Sequence, residues 1–197
     1  MAECVKCGHR NAPGAPACVD CTWPFTVEAW ASTNRFHIRR ITVDTSCVNS
    51  KRKDADLNVI ERWAEERRII LQRSDALLKE LGRSDERVSK GKGLAKHPKL
   101  FTLGVSVLNG EDVLAGPDMR KEIEQILFPT VRVLTTNQVN DVEHLRQHVR
   151  TGCDAFITKD AKDFIKRGKQ EKLAQIGIWV FTPSQLVSLL RKLYNWP

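Results

Sequence analysis

No stretch of this 197-residue chain approaches the ~18 consecutive apolar residues that cross a bilayer, so a membrane-spanning helix is not expected. The N-terminal segment has no apolar core, which argues against a secretory signal peptide. No internal repeat is visible. Gly91 and Gly93 lie in a basic stretch without a Walker pattern, so a phosphate-cradling glycine loop is also missing. Acids are in short supply: 24 Asp and Glu face 32 Lys and Arg, a formal charge of +8. Such a balance suits a polyanionic partner, because each phosphate contact releases condensed counterions. What is there, 41% hydrophobic and 28% charged residues, is a globular composition. Its length suits one ordinary domain with a small appendage. The expectation is a soluble cytoplasmic protein.

Four of the six cysteines, Cys4, Cys7, Cys18 and Cys21, form C-x2-C-x10-C-x2-C. Two such knuckles let four thiolates converge on a tetrahedral Zn²⁺. Asn11 to Pro16 supplies turn residues between them. The stretch resembles a short rubredoxin-like zinc ribbon, although Thr22 stands where the second knuckle usually has glycine. Two disulfides are the competing reading, disfavoured by the missing signal peptide and the two leftover cysteines. So small a module cannot bury a core, and metal would supply its folding energy. Trp23, Phe25 and Trp30 have packing over the zinc as their first expected role and base stacking as their second. Cys47 and Cys153 read as buried, reduced thiols.

Beyond a 26–36 linker the pattern alternates strands and helices. Strands are expected at Phe36–Val43, Arg68–Leu71, Phe101–Leu108, Val131–Leu134, Ala155–Ile157 and Ile178–Phe181. Helices are expected at Asp56–Glu66, from Ser74 to Leu81, from Pro117 to Phe128, from Asn140 or Asp141 to Arg150, over Phe164–Ala174, and from Pro183 to Leu193. Short apolar strands alternating with helices imply a doubly wound parallel sheet flanked by helices. In such sheets the chemistry sits beyond the carboxyl ends of the strands. Asp44 follows the first strand directly, and Asp160 follows the strand Ala155–Ile157 after Thr158 and Lys159. Asp141 stands at the start of the helix preceding that strand. No set of His or Cys accompanies these acids.

The segments Ile41-Thr42-Val43-Asp44-Thr45-Ser46, Lys79-Glu80-Leu81, Asn140-Asp141-Val142-Glu143-His144-Leu145 and Gly152 to Asp160, with the tail Gly177 to Pro183, resemble those of PIN-domain ribonucleases. The resemblance runs from about residue 37 to the C-terminus, and Thr158-x-Asp160 followed by Asp163-Phe164 is its most specific piece. It implies a PIN-like domain over 37–197, with a basic loop and insertion at 83–116 and the Cys4 zinc ribbon at 1–25 as an added module. It also implies four acids, Asp44, Glu80, Asp141 and Asp160, holding Mg²⁺ or Mn²⁺. Thr158 and Ser46 occupy the family's helper positions. Glu61 stays open as an alternative to Glu80, and Glu143 as an alternative to Asp141. Asp154 and Asp163 read as structural, and His144 and His148 as one packed or solvated helix face. Expected phosphate contacts are Lys90, Lys92 and Lys96 in the loop, with Lys159 and Lys162 beside the fourth acid.

The resulting expectation is an endoribonuclease with Mg²⁺ or Mn²⁺ for catalysis and Zn²⁺ for structure. RNA is the expected partner; a protein inhibitor or antitoxin and a homodimer are further candidates, and no membrane is involved. The alternative is a non-catalytic RNA- or protein-binding module on the same fold. A phosphatase using Asp44 as nucleophile is weaker, because the residue two positions on is Ser46 rather than a second acid.

Overall fold

The computed structural model describes residues 2–3, 9–13, 15–19, 24, 38–50, 54–77, 94–96, 100–101, 113–114 and 118–197. In the N-terminal module, β1 (Ala2–Glu3) pairs antiparallel with β2 (Arg10–Asn11). Cys18 is buried, and Asn11, itself buried, donates from Nδ2 toward its Sγ at 3.6 Å and accepts the Val19 N–H at Oδ1. Cys4, Cys7, Cys21 and the 26–36 linker lie outside the described residues.

Next come β3 (Arg40–Val43), α1 (Thr45–Ser50), α2 (Ala55–Glu65), β4 (Ile70–Arg73) and β5 (Ala95–Lys96). A separate parallel pair joins β6 (Leu100–Phe101) to β7 (Val113–Leu114). Then follow α3 (Arg120–Leu127), α4 (Thr136–Arg150), β8 (Ala155–Ile157), a π-helical turn (Ala161–Ile165), α5 (Lys169–Gln175), β9 (Val180–Phe181) and α6 (Pro183–Tyr194). The main sheet runs β5-β4-β3-β8-β9 with every pair parallel. This is an α/β architecture of four strands extended at one edge by the two-residue β5.

Alternation along the strands sorts side chains into two cores. Ile41, Val43, Leu71, Ile157 and Phe181 face Leu57, Ile60 and Trp63 of α2 and Leu186 and Leu190 of α6. Phe156 and Val180 face Ile123 and Leu127 of α3, Val142 and Leu145 of α4, Phe164 and Leu173. Helices thus cover both faces, as a parallel sheet requires. The chain leaves β3 for β4 and β5, then returns to the other side of β3 with β8. The strand order therefore reverses between β3 and β8, where ligands of open α/β sheets bind.

Several elements differ from the sequence expectation. No strand forms at 131–134; Val131 and Val133 are exposed, the latter at 84%, in a connection between helices. Their β-branched character suits a strand, but a strand needs a neighbour with free ladder groups, and none lies there among the described residues. Helix α4 starts at Thr136, ahead of Asn140, because Thr135 and Gln138 form a reciprocal capping box. The helix expected over 164–174 is split: Arg167 and Gly168 take left-handed φ of 62° and 71°, ending the π turn before α5 begins. β4 starts two residues late, after a turn in which Arg67 has φ 59°. Helix α3 opens at Arg120 after a Met119 cap without a side-chain bond, and Pro117 lies outside the described residues. The helical start after Ser74 is seen at residues 75–77, where Ser74 Oγ accepts the Leu77 N–H.

Candidate functional site

Asp44 and Thr158 each follow a strand at the reversal point, and the register Val43↔Ile157 sets them side by side. The Asp44 N–H donates to the Ile157 carbonyl at 3.0 Å, continuing the ladder one step past the strand end. Asp44 is buried, with 4% of its surface exposed, and its carboxylate is oriented from one side only. Thr158 Oγ1 donates to Oδ2 at 2.8 Å, and Ser46 Oγ donates to the same oxygen. Among the described residues, every hydrogen bond to this carboxylate falls on Oδ2, which leaves the lone pairs of Oδ1 unused. The two hydroxyls are aimed in turn: Thr158 Oγ1 accepts the Asp160 N–H and Ser46 Oγ accepts the Lys159 N–H, both at 2.9 Å. Their protons are thereby committed to Asp44.

Asp160 uses Oδ1 to accept the Lys162 and Asp163 N–H groups at 3.0 Å, capping the π turn. The capping role and a ligand role are compatible, since Oδ2 takes no bond among the described residues. Beneath Asp44, Cys47 is a buried thiol whose pKa is pushed far up, by burial first and then by the negative charge of Asp44. That thiol is inert. Cys153 is half-buried and likewise raised by burial.

Helix α4 crosses the opposite face from α2. His148 Nδ1 lies 2.9 Å from Thr42 Oγ1, and one turn earlier His144 Nδ1 lies 2.8 Å from Ser74 Oγ. Thr42 is inside β3 and Ser74 just past the end of β4, so moving toward the N-terminus of α4 moves toward the carboxyl edge of the sheet. Asp141, half-buried and one turn before Leu145, continues that direction. Both histidines are thus buried structural groups at 0% and 2% exposure, as their packed-face reading implies. Glu143 is turned to Arg146 and Gln147, at 3.1 Å from each. Asp154 Oδ2 accepts the Arg39 and Arg40 N–H groups at the far end of the strands and is structural.

Lys159 is held by an acid beside the site. Its ammonium sits 2.7 Å from Asp54 Oδ2, while Asp54 Oδ1 caps α2 by accepting the Asp56 and Leu57 N–H groups. The hydrogen bond from Lys159 holds the Asp54 carboxyl below its ordinary value. Nothing in the sequence links Asp54 to Lys159. Lys162 is exposed beside Asp160. Lys169 is occupied, donating to the Asp163 carbonyl at 3.1 Å and standing over the Phe128 ring.

Glu80, Lys90 and Lys92 lie outside the described residues, and only the backbone of Lys96 is described. Among the described residues, no group of three or more His, Cys, Asp or Glu side chains is close enough to hold a metal ion. The described acids gathered most closely to the reversal point are Asp44 and Asp160, joined through Thr158. No described helix is long and apolar enough to cross a membrane. In comparisons with known proteins, no family model, no curated protein and no solved structure matches the chain.

Proposed function

We propose that this chain is a metal-dependent endoribonuclease of PIN-like type, with an N-terminal zinc ribbon. The observation that carries the reading is the Asp44 carboxylate at the strand-order reversal, fixed by two hydroxyls at Oδ2 and left with Oδ1 unbonded. Carboxylates that ligate metals are characteristically held by such hydrogen bonds on the other oxygen. The free oxygens of Asp44 and Asp160 are hard donors, which fit Mg²⁺ or Mn²⁺ better than softer metals. Asp44 and Asp160, with Asp141 and Glu80, would hold the ion. When bound it would supply Lewis-acid activation of water and stabilisation of the leaving oxygen of a phosphodiester.

The chain's own residues have definable parts. Thr158 and Ser46 hold Asp44 in one rotamer, and Thr158 also ties the Asp160 backbone to the same place. Lys162, exposed next to Asp160, supplies positive charge toward an RNA phosphate. The net charge of +8 supports binding of the whole polyanion. A non-catalytic RNA-binding module is the second reading, favoured by the absence of a three-ligand cluster among the described residues. Incubating a mixed RNA pool with Mg²⁺ or Mn²⁺ separates the two. Cleavage by the wild type and none by Asp44→Asn is expected; binding without cleavage by either would establish the module.

A further inference from the structure

Arg73 is the last residue of β4 and only 9% exposed, yet its Nε and Nη1 are buried without any hydrogen-bond partner. Buried donors without partners are costly, and buried polar groups are ordinarily matched by protein, water or an ion. On one side, the backbone of Arg73 pairs with that of Lys96 in β5. On the other side, Gln72 pairs with Thr42, so Arg73 is level with Val43 and one residue short of Asp44. Leu71 belongs to the core beneath α2, so alternation puts Arg73 on that same face at the carboxyl edge of the sheet.

We propose that the carboxyl end of β4 forms a phosphate-binding site, in which Arg73 is the buried anchor. The ligand class is a phosphate of an RNA backbone lying along the edge that leads to Asp44. The planar guanidinium suits this ligand, since Nε and a terminal nitrogen together present two parallel donors to two phosphate oxygens. The site would hold a phosphate flanking the one that reacts, fixing the strand's register without reading its bases. The RNA assignment rests on the proposed nuclease reading; the anion assignment rests on Arg73 alone.

The test uses the full-length chain in an Asp44→Asn background, so that a fluorescein-labelled single-stranded RNA is bound and not cut. Adding Arg73→Met should weaken binding about tenfold or more and lower the slope of log affinity against log salt by about 1. Without ligand, the same variant should melt no earlier than its parent, because an uncompensated buried charge is gone. Inorganic phosphate should raise the melting temperature of the parent and not of the variant. Should Arg73→Met fail to fold, Arg73→Gln carries the same expectations for affinity, slope and phosphate response. Unchanged RNA affinity and slope, or equal stabilisation by phosphate, would overturn the proposal. A wild type that binds RNA through Arg73 but never cleaves it would leave this site standing and remove only the nuclease reading.

Discussion

At the scale of single residues, Asp44 is held through one of its two carboxylate oxygens. Both hydroxyl donors converge on Oδ2, so Asp44→Asn keeps an acceptor there while removing the charge. The expected outcome is a loss of cleavage of about 10²-fold or more. Thermal stability in metal-free buffer should not fall; single-turnover cleavage and a melting curve check the two halves. Thr158→Val tests the orienting hydroxyl. Thr158 is fully buried, so the swap strands the Asp160 N–H and leaves Ser46 as the donor to Asp44 Oδ2. A stability loss of about 1–3 kcal/mol follows from the unpaired groups. Metal affinity or activity should fall about 10–100-fold, and Thr158→Ser should restore most of it. Asp44 and Asp160 were legible as acids just past expected strands, whereas Ser46 and Thr158 were named only through the family resemblance.

At the scale of elements, the Asp54–Lys159 pair joins the start of α2 to the loop after β8. Asp54 titrates below its ordinary value in the folded chain, so the unfolded chain binds its proton more readily. Its contribution to stability is therefore complete above the unfolded carboxyl value, about pH 4. It is lost as pH falls through the lower folded value. Asp54→Asn should flatten the acid limb of the stability profile in this window and cost no more than about 1 kcal/mol at neutral pH, since Asn still caps α2. Urea unfolding from pH 2 to 7 measures this. The same variant releases Lys159 toward the site, so RNA affinity should rise. Lower affinity in Asp54→Asn would show that Lys159 needs Asp54 to be positioned. The capping box at Thr135 and Gln138 belongs to this scale too: an S/T-x-x-E/Q pattern was present in the chain, but the β-branched run before it pointed to a strand.

For the molecule as a whole, both hydrophobic cores are built from Ile38 onward, and no described residue of the cysteine module joins either. The C-terminus closes the first of them: Trp196 stands edge-on to buried Trp63 at 5.1 Å between ring centroids, and Tyr194 OH accepts the Ile38 N–H at 2.9 Å. Removal of the proposed zinc by a chelator should therefore abolish protection from hydrogen exchange in residues 1 to about 25 and leave the main melting transition in place. A main transition that moved with zinc would mean that the module and the sheet share a core. Trp63→Ala, by contrast, should cost about 3–5 kcal/mol of the main transition.

The amino-acid sequence by itself determined the alternation of short apolar strands with helices, the acids at two strand ends and the paired cysteine knuckles. These are properties of near neighbours in the chain, written in local spacing. Tertiary structure alone decided that β3 and β8 lie side by side, which brings Thr158 onto Asp44. It also decided that Lys159 is tied to Asp54, that 131–134 forms no strand, and that two nitrogens of Arg73 are buried without a partner among the described residues. Each of these depends on which distant segments meet. A residue's charge and volume are visible in the sequence, but its partners are set only when the strand order closes.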